Sequence, residues 1–250
     1  MNTFAKAYIA CVVTLGSALL AAALLRWNSD DPARFITFLL LGTLAATWKV
    51  KLPGITGNIS GSFVFILIGV AAFSFSETVV LASAAAAVQC VWGAKRSPRP
   101  VQLAFNVATL SASAGAAWFG SHAITQKFAP NSLILLVVPA AIIFFVCDTG
   151  LVSGVIALVE RKNFMAVWRE CHGWSFPYYL LGAALAALIT ASSRATGWIS
   201  SLFMAPAMYL MYAYFRFHIE KATQKIAQSG QERVHVRIDD HDHEMMVSSR

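Results

Sequence analysis

Apolar residues in this chain come in runs much longer than a soluble fold uses, separated by short polar connections. A hydrocarbon core of about 30 Å needs about 20 apolar residues in a helix. Runs of that order predict helices at about 5–25, 35–50, 62–76, 77–94, 101–122, 132–158, 176–193 and 197–218. Only Ser74-Phe75-Ser76-Glu77 separates the third from the fourth, which predicts a tight hairpin. The stretch Gly93-Ala94-Lys95-Arg96-Ser97-Pro98-Arg99-Pro100 places three cations and two prolines between two apolar runs. Each proline lacks a backbone donor and disfavours the α region for the residue before it, so two helices meet there at a corner.

Lysine and arginine then orient the scheme, because short cytoplasmic loops carry an excess of both. Lys6, Lys49, Lys51, Lys95, Arg96, Arg99, Arg161, Lys162, Arg169 and the segment from Arg216 onward fall on one side. The other side receives Arg26, Arg34, Lys127 and Arg194, with Asp30, Asp31 and Glu77 beside them. An even number of spans with both termini cytoplasmic fits this asymmetry. The expected fold is an all-α polytopic membrane helix bundle of about eight transmembrane helices over 1–220, followed by a cytoplasmic polar tail over 221–250.

Composition agrees: 58% of the 250 residues are hydrophobic and 12% charged, and mean hydropathy is +0.63, where soluble domains carry about a quarter charged residues. A net charge of +7 would direct a soluble protein toward nucleic acid. Here the cations collect in loops on one side, so the expected partner is the lipid bilayer and not nucleic acid. Cys11, Cys90, Cys147 and Cys171 lack CxxC spacing and read as buried thiols. Tyr8 to Leu25 is long enough to span and shows no clear cleavage boundary before Arg26, so it reads as an anchor and not a signal peptide.

Several places are irregular. Residues 51–61 are rich in Pro, Gly, Ser and Thr and read as a cytoplasmic loop, with a re-entrant segment as the alternative. The sixth run is overlong for a straight crossing, so it must tilt, break or leave the bilayer near Asp148-Thr149-Gly150. Residues 163–174 read as an interfacial segment with Phe164, Val167, Trp168 and Trp174 toward lipid, and Pro177-Tyr178-Tyr179 as aromatics at the interface.

Asp148 is the one carboxylate inside an apolar run. A charge at such a position costs about 2.5–3.5 kcal/mol on insertion scales, so it should face the bundle interior, find a partner or be protonated. Gln89, Gln102 and Asn106 are neutral polar residues that could join it in a ligand site, with Gln102 and Asn106 on one helical face; interhelical hydrogen bonding accounts for them equally. The tail sequence Asp239-Asp240-His241-Asp242-His243-Glu244 has metal-ligand residue types without a scaffold to converge them, so no metal site is expected. Ser121-His122 and His172 read as interfacial packing. No catalytic or nucleotide motif is present and none names a cofactor; the chain does not read as an enzyme. The small residues of 83–87 and 111–117 allow close helix packing.

Lys49-Val50-Lys51-Leu52-Pro53-Gly54, Ser62-Phe63-Val64-Phe65, Gln89-Cys90-Val91-Trp92, Lys95 to Pro100, Phe105-Asn106-Val107-Ala108 and Pro177-Tyr178-Tyr179-Leu180-Leu181-Gly182 together carry a resemblance. They resemble the N-terminal integral-membrane (MASE-like) sensor region of bacterial signalling proteins that carry HD-GYP or GGDEF output domains. The resemblance covers most of residues 35–220. It implies a bacterial inner-membrane sensor whose last span continues as a signalling helix, here from Phe217-His218-Ile219-Glu220-Lys221, with Arg250 as the last residue and no span of chain for a catalytic domain. The leading expectation is a sensor or binder of a small or lipophilic ligand, relaying through Tyr214 to Gln228 to a cytoplasmic partner. A small-molecule transporter or its substrate-binding subunit is the first alternative, and an auxiliary subunit of a larger membrane complex the second.

Overall fold

The computed structural model describes residues 3–51, 58–94, 97–172 and 176–199, together with 203, 206, 209, 210, 213, 214 and 217. The apolar runs become helices because a helix satisfies its own backbone donors and acceptors where no water can. They are α1 (Thr3–Leu25), α2 (Pro32–Ala46), α3 (Ser62–Ala72), α4 (Phe75–Val91), α5 (Pro100–Phe128), α6 (Leu133–Glu160), α7 (Phe164–His172) and α8 (Phe176–Thr196). Between α2 and α3 lies a short antiparallel pair, β1 (Lys49–Lys51) and β2 (Asn58–Ser60), in the register Lys49 to Ser60 and Lys51 to Asn58. The expected loop at 51–61 is thus clamped at both ends by strand pairing, and residues 52–57 of it lie outside the described residues.

Helix α3 is the centre of the bundle. Its sequence is apolar all round, and such a helix is buried on every side; Ser62 through Ala71 are all buried, against α2, α4, α6 and α8. The second layer is α5, which packs along α1, α4 and α6. Small residues set these approaches. Ser83 and Ser111 hydrogen-bond across α4 and α5 at 2.7 Å. A Cβ on Gly16 would overlap the backbone of Ala108, and one on Gly154 would lie 2.6 Å from the Tyr8 hydroxyl.

Three helices, α1, α6 and α8, are long and apolar enough to cross a membrane, and α2, α3 and α4 are shorter apolar helices. Leu15, Leu40, Leu44, Ile134, Val146 and Leu188 are exposed on the outer faces. Apolar surface on this scale suits lipid and would be an association hazard in water. The chain is therefore a helical membrane protein. Helix α3, the expected third span, has 11 residues, about 16 Å of rise. Cys11 is exposed and Cys90 and Cys147 half-buried, so the thiols are less enclosed than the composition implied.

Helix α6 carries Pro139 inside it yet runs unbroken from Leu133 to Glu160. Proline removes the donor that the carbonyl four residues earlier would have used. That carbonyl, Leu135 O, instead shares the hydroxyl proton of Thr125 on α5, at 2.9 Å, with Ser121 O at 2.8 Å. Of the expected ways to fit the overlong run, tilting, breaking or leaving the bilayer near Asp148-Thr149-Gly150, the structure excludes the break, because nothing there costs the ladder a donor. The helix ends at Arg161, whose φ of 55° is left-handed, and the Lys162 N–H returns to Ala157 O at 3.1 Å in a Schellman-type closure.

Candidate functional site

Asp148 lies near the middle of α6, about 22 Å along the axis from Leu133 and about 18 Å from Glu160. Its Oδ2 accepts a hydrogen bond from Tyr179 Oη on α8 at 3.2 Å. Its Oδ1 is enclosed and has no hydrogen-bond partner. A buried polar group ordinarily has one; Oδ1 is one of five such atoms without a partner among the described residues, and the only carboxylate oxygen of the five. Both residues as wholes keep some exposed surface.

Aromatic rings surround the pair. The Tyr179 ring lies 4.9 Å from Phe63 of α3, 5.0 Å from Phe145 and 6.2 Å from Phe144 of α6, centroid to centroid. Phe145 in turn meets Phe176 at 5.5 Å. Local sequence puts them there: Phe144, Phe145 and Asp148 fall within one turn of α6, on the face that α8 covers. Gly182 lets α8 come this close, since a Cβ there would overlap the Phe63 ring. The tyrosine expected at interface level is thus turned inward by its carboxylate partner and by ring packing.

Helix α7 completes the surroundings. Trp168 Nε1 donates to Thr149 Oγ1 at 3.0 Å, and Thr149 donates to Phe145 O at 2.6 Å. Thr149 lies about 17 Å along α6 from Glu160, so the chain after Arg161 must double back for Trp168 to reach it. Helix α7 therefore runs back along α6, ending at His172, and α8 begins at Phe176 beside Phe145. Val167 is buried and Trp168 half-buried. This corrects the expected interfacial segment: Val167 and Trp168 face protein, with Phe164 and Met165 exposed, while Trp174 lies outside the described residues.

The other expected ligand residues do not join Asp148. Gln89 Oε1 accepts from Ser60 Oγ at 3.2 Å, tying α4 to the strand pair. Gln102 Oε1 accepts from the Arg99 N–H at 3.2 Å at the start of α5. Asn106 is exposed and donates to Cys90 Sγ at 3.0 Å. Gln89 thus joins a helix to a strand, Gln102 caps α5, and Asn106 bridges α5 to α4. Among the described residues no group of three His, Cys, Asp or Glu side chains is placed to hold a metal ion; the acidic and histidine-rich tail lies outside them. His122 stacks on Trp118 at 4.1 Å, with Nδ1 2.8 Å from Trp118 O, which is packing.

Sequence reading left a second carboxylate in a turn that the structure buries. Glu77, 4% exposed, accepts from Ser29 Oγ at 2.6 Å, Ser74 N at 2.9 Å and Ser74 Oγ at 2.9 Å. The signal was legible as Ser74-x-x-Glu77, a capping box. All its bonds are satisfied within the protein, so it staples the 26–31 connection to α4.

Fold and site together define a helical membrane protein with a carboxylate–phenol pair in its interior. Compared with protein-family models, curated proteins and solved structures, the chain has no match.

Proposed function

We propose that this chain is a bacterial inner-membrane protein of about eight spans, both termini cytoplasmic, that senses or binds a small or lipophilic molecule beside Asp148. The observation that carries the reading is the Asp148 carboxylate, near the middle of an apolar helix, bonded through one oxygen to Tyr179 and unpartnered at the other. An ionisable group held in this way within a span marks a functional site by default. Binding there would favour one arrangement of α6 against α8 over another, and a signal needs that difference in affinity between two states. Of the expected relay from Tyr214 to Gln228 only Tyr214 and Phe217 are described. Tyr209, in the same last apolar run, packs its ring 5.3 Å from Trp48, next to the strand pair.

A second reading, as a small-molecule transporter, draws on the same enclosed carboxylate oxygen of Asp148. Ionisable residues inside spans mark substrate and ion pathways in many transporters. Native mass spectrometry of the full chain released from nanodiscs, wild type beside Asp148→Asn, tests the binding reading. A small-molecule adduct in the wild type that the variant lacks is the expected result, and identical adduct-free spectra would overturn it. Adduct-dependent uptake into proteoliposomes would move the assignment to transport.

A further inference from the structure

We infer that the Asp148 site selects organic cations, specifically a protonated amine carried on a compact apolar or aromatic body. This rests on the ligand-binding reading above and names its ligand class. A carboxylate taken out of water needs a counter-charge or strong donors. Asp148 has one phenol donor, and no Lys, Arg or His among the described residues pairs with it; Lys162, just past the end of α6, bonds Glu160 at 2.7 Å. A divalent ion such as calcium or magnesium takes six or more oxygens, and among the described residues the hydrogen-bonded oxygens here are the Asp148 carboxylate and the Tyr179 hydroxyl.

The walls point the same way. Phe63, Phe145 and Phe144 lie within 6.2 Å of the Tyr179 ring, and the Trp168 ring lies 6.2 Å from Phe145. Aromatic faces attract a cation that comes within about 6 Å of the ring centroid, more strongly when it is desolvated. These rings pack around the phenol that bonds Oδ2 of the same carboxylate, so an ammonium at Asp148 would find charge and acceptor there with aromatic surface next to them. A neutral alcohol of the same shape keeps the rings and one hydrogen bond to the carboxylate but loses the charge attraction. An anion meets repulsion from Asp148.

The experiment uses the full chain in lipid nanodiscs, with 2-phenylethylammonium as probe and 2-phenylethanol as its neutral counterpart, read by thermal unfolding across a concentration series. The ammonium is expected to raise the unfolding temperature of the wild type with saturable dependence, and the alcohol to shift it at least tenfold less effectively. Asp148→Asn keeps the side-chain volume and should weaken the ammonium effect by tenfold or more, and Phe145→Leu, which keeps the carboxylate, by severalfold. The charged-against-neutral comparison on the wild type needs no variant, so a misfolded mutant does not protect the inference. Equal response to both probes, or no response to the ammonium up to millimolar concentration, overturns it. If the alcohol binds equally and Asp148→Asn abolishes both, the cation preference fails while the binding site stands; if neither probe binds and native spectra carry no adduct, both fail.

Discussion

Replacing Gly182 by alanine adds one methyl group where α8 lies against α3, the point on which the Asp148 site depends. A Cβ at 182 would overlap Cζ and Cε2 of Phe63. That ring cannot swing aside easily, since it is 5% exposed and held between Tyr178 at 4.8 Å and Tyr179 at 4.9 Å. Overpacking of this kind costs about 1–3 kcal/mol, and most of it should be felt as α8 moving outward, carrying Tyr179 away from Asp148. Shortening the obstructing ring should relieve it. A cycle of Gly182→Ala, Phe63→Leu and the double variant, unfolded by SDS titration in mixed micelles, should give a favourable coupling of at least about 0.5 kcal/mol, as contacting residues show. Gly182→Ala with wild-type stability, or a double variant that is simply the sum of the singles, would refute the packing argument.

Three further outcomes follow from the same contacts. Thr125→Val should cost about 0.6–1.7 kcal/mol, the range of interhelical hydrogen bonds in membranes, but almost nothing in a Pro139→Ala background, where residue 139 regains an N–H for Leu135 O; SDS unfolding of the four proteins measures this. Glu77→Ala removes the carboxylate half of the capping box and leaves the Ser29 hydroxyl and the Ser74 N–H without their acceptor, so thermal unfolding should show a loss of about 1–3 kcal/mol, with Glu77→Gln milder. Arg161→Gly places the residue suited to a left-handed φ of 55° at the end of α6, and should stabilise by up to about 1 kcal/mol in the same assay.

Much of the architecture was legible because a membrane helix is declared by its own residues. The expected runs at 5–25, 101–122 and 132–158 correspond to α1, α5 and α6, and the Ser74 to Glu77 hairpin falls between α3 and α4. The strand pair at 49–51 and 58–60 was hidden by a Pro/Gly-rich connection that reads as loop by composition. Asp148 stood out as a lone carboxylate in an apolar run. Its partner did not, because aromatic residues near a span end read as an interface belt, and only the fold brings Tyr179 across from α8. The same holds for Pro139, whose lost hydrogen bond is made good by Thr125 on a neighbouring helix, and for Trp168, which faces α6 once α7 doubles back. Gln89, Gln102 and Asn106 show the reverse: residue types suited to a ligand, spent on contacts within the protein.

The claim beneath the whole account is that α6 crosses the bilayer with Asp148 at mid-depth. Single cysteines at Asn131 and Lys162, in a chain whose four native cysteines are replaced by serine, can be labelled with a membrane-impermeant maleimide in sealed vesicles of known orientation. Labelling of Asn131→Cys and of Lys162→Cys from opposite faces is the predicted result; labelling of both from one face would contradict it.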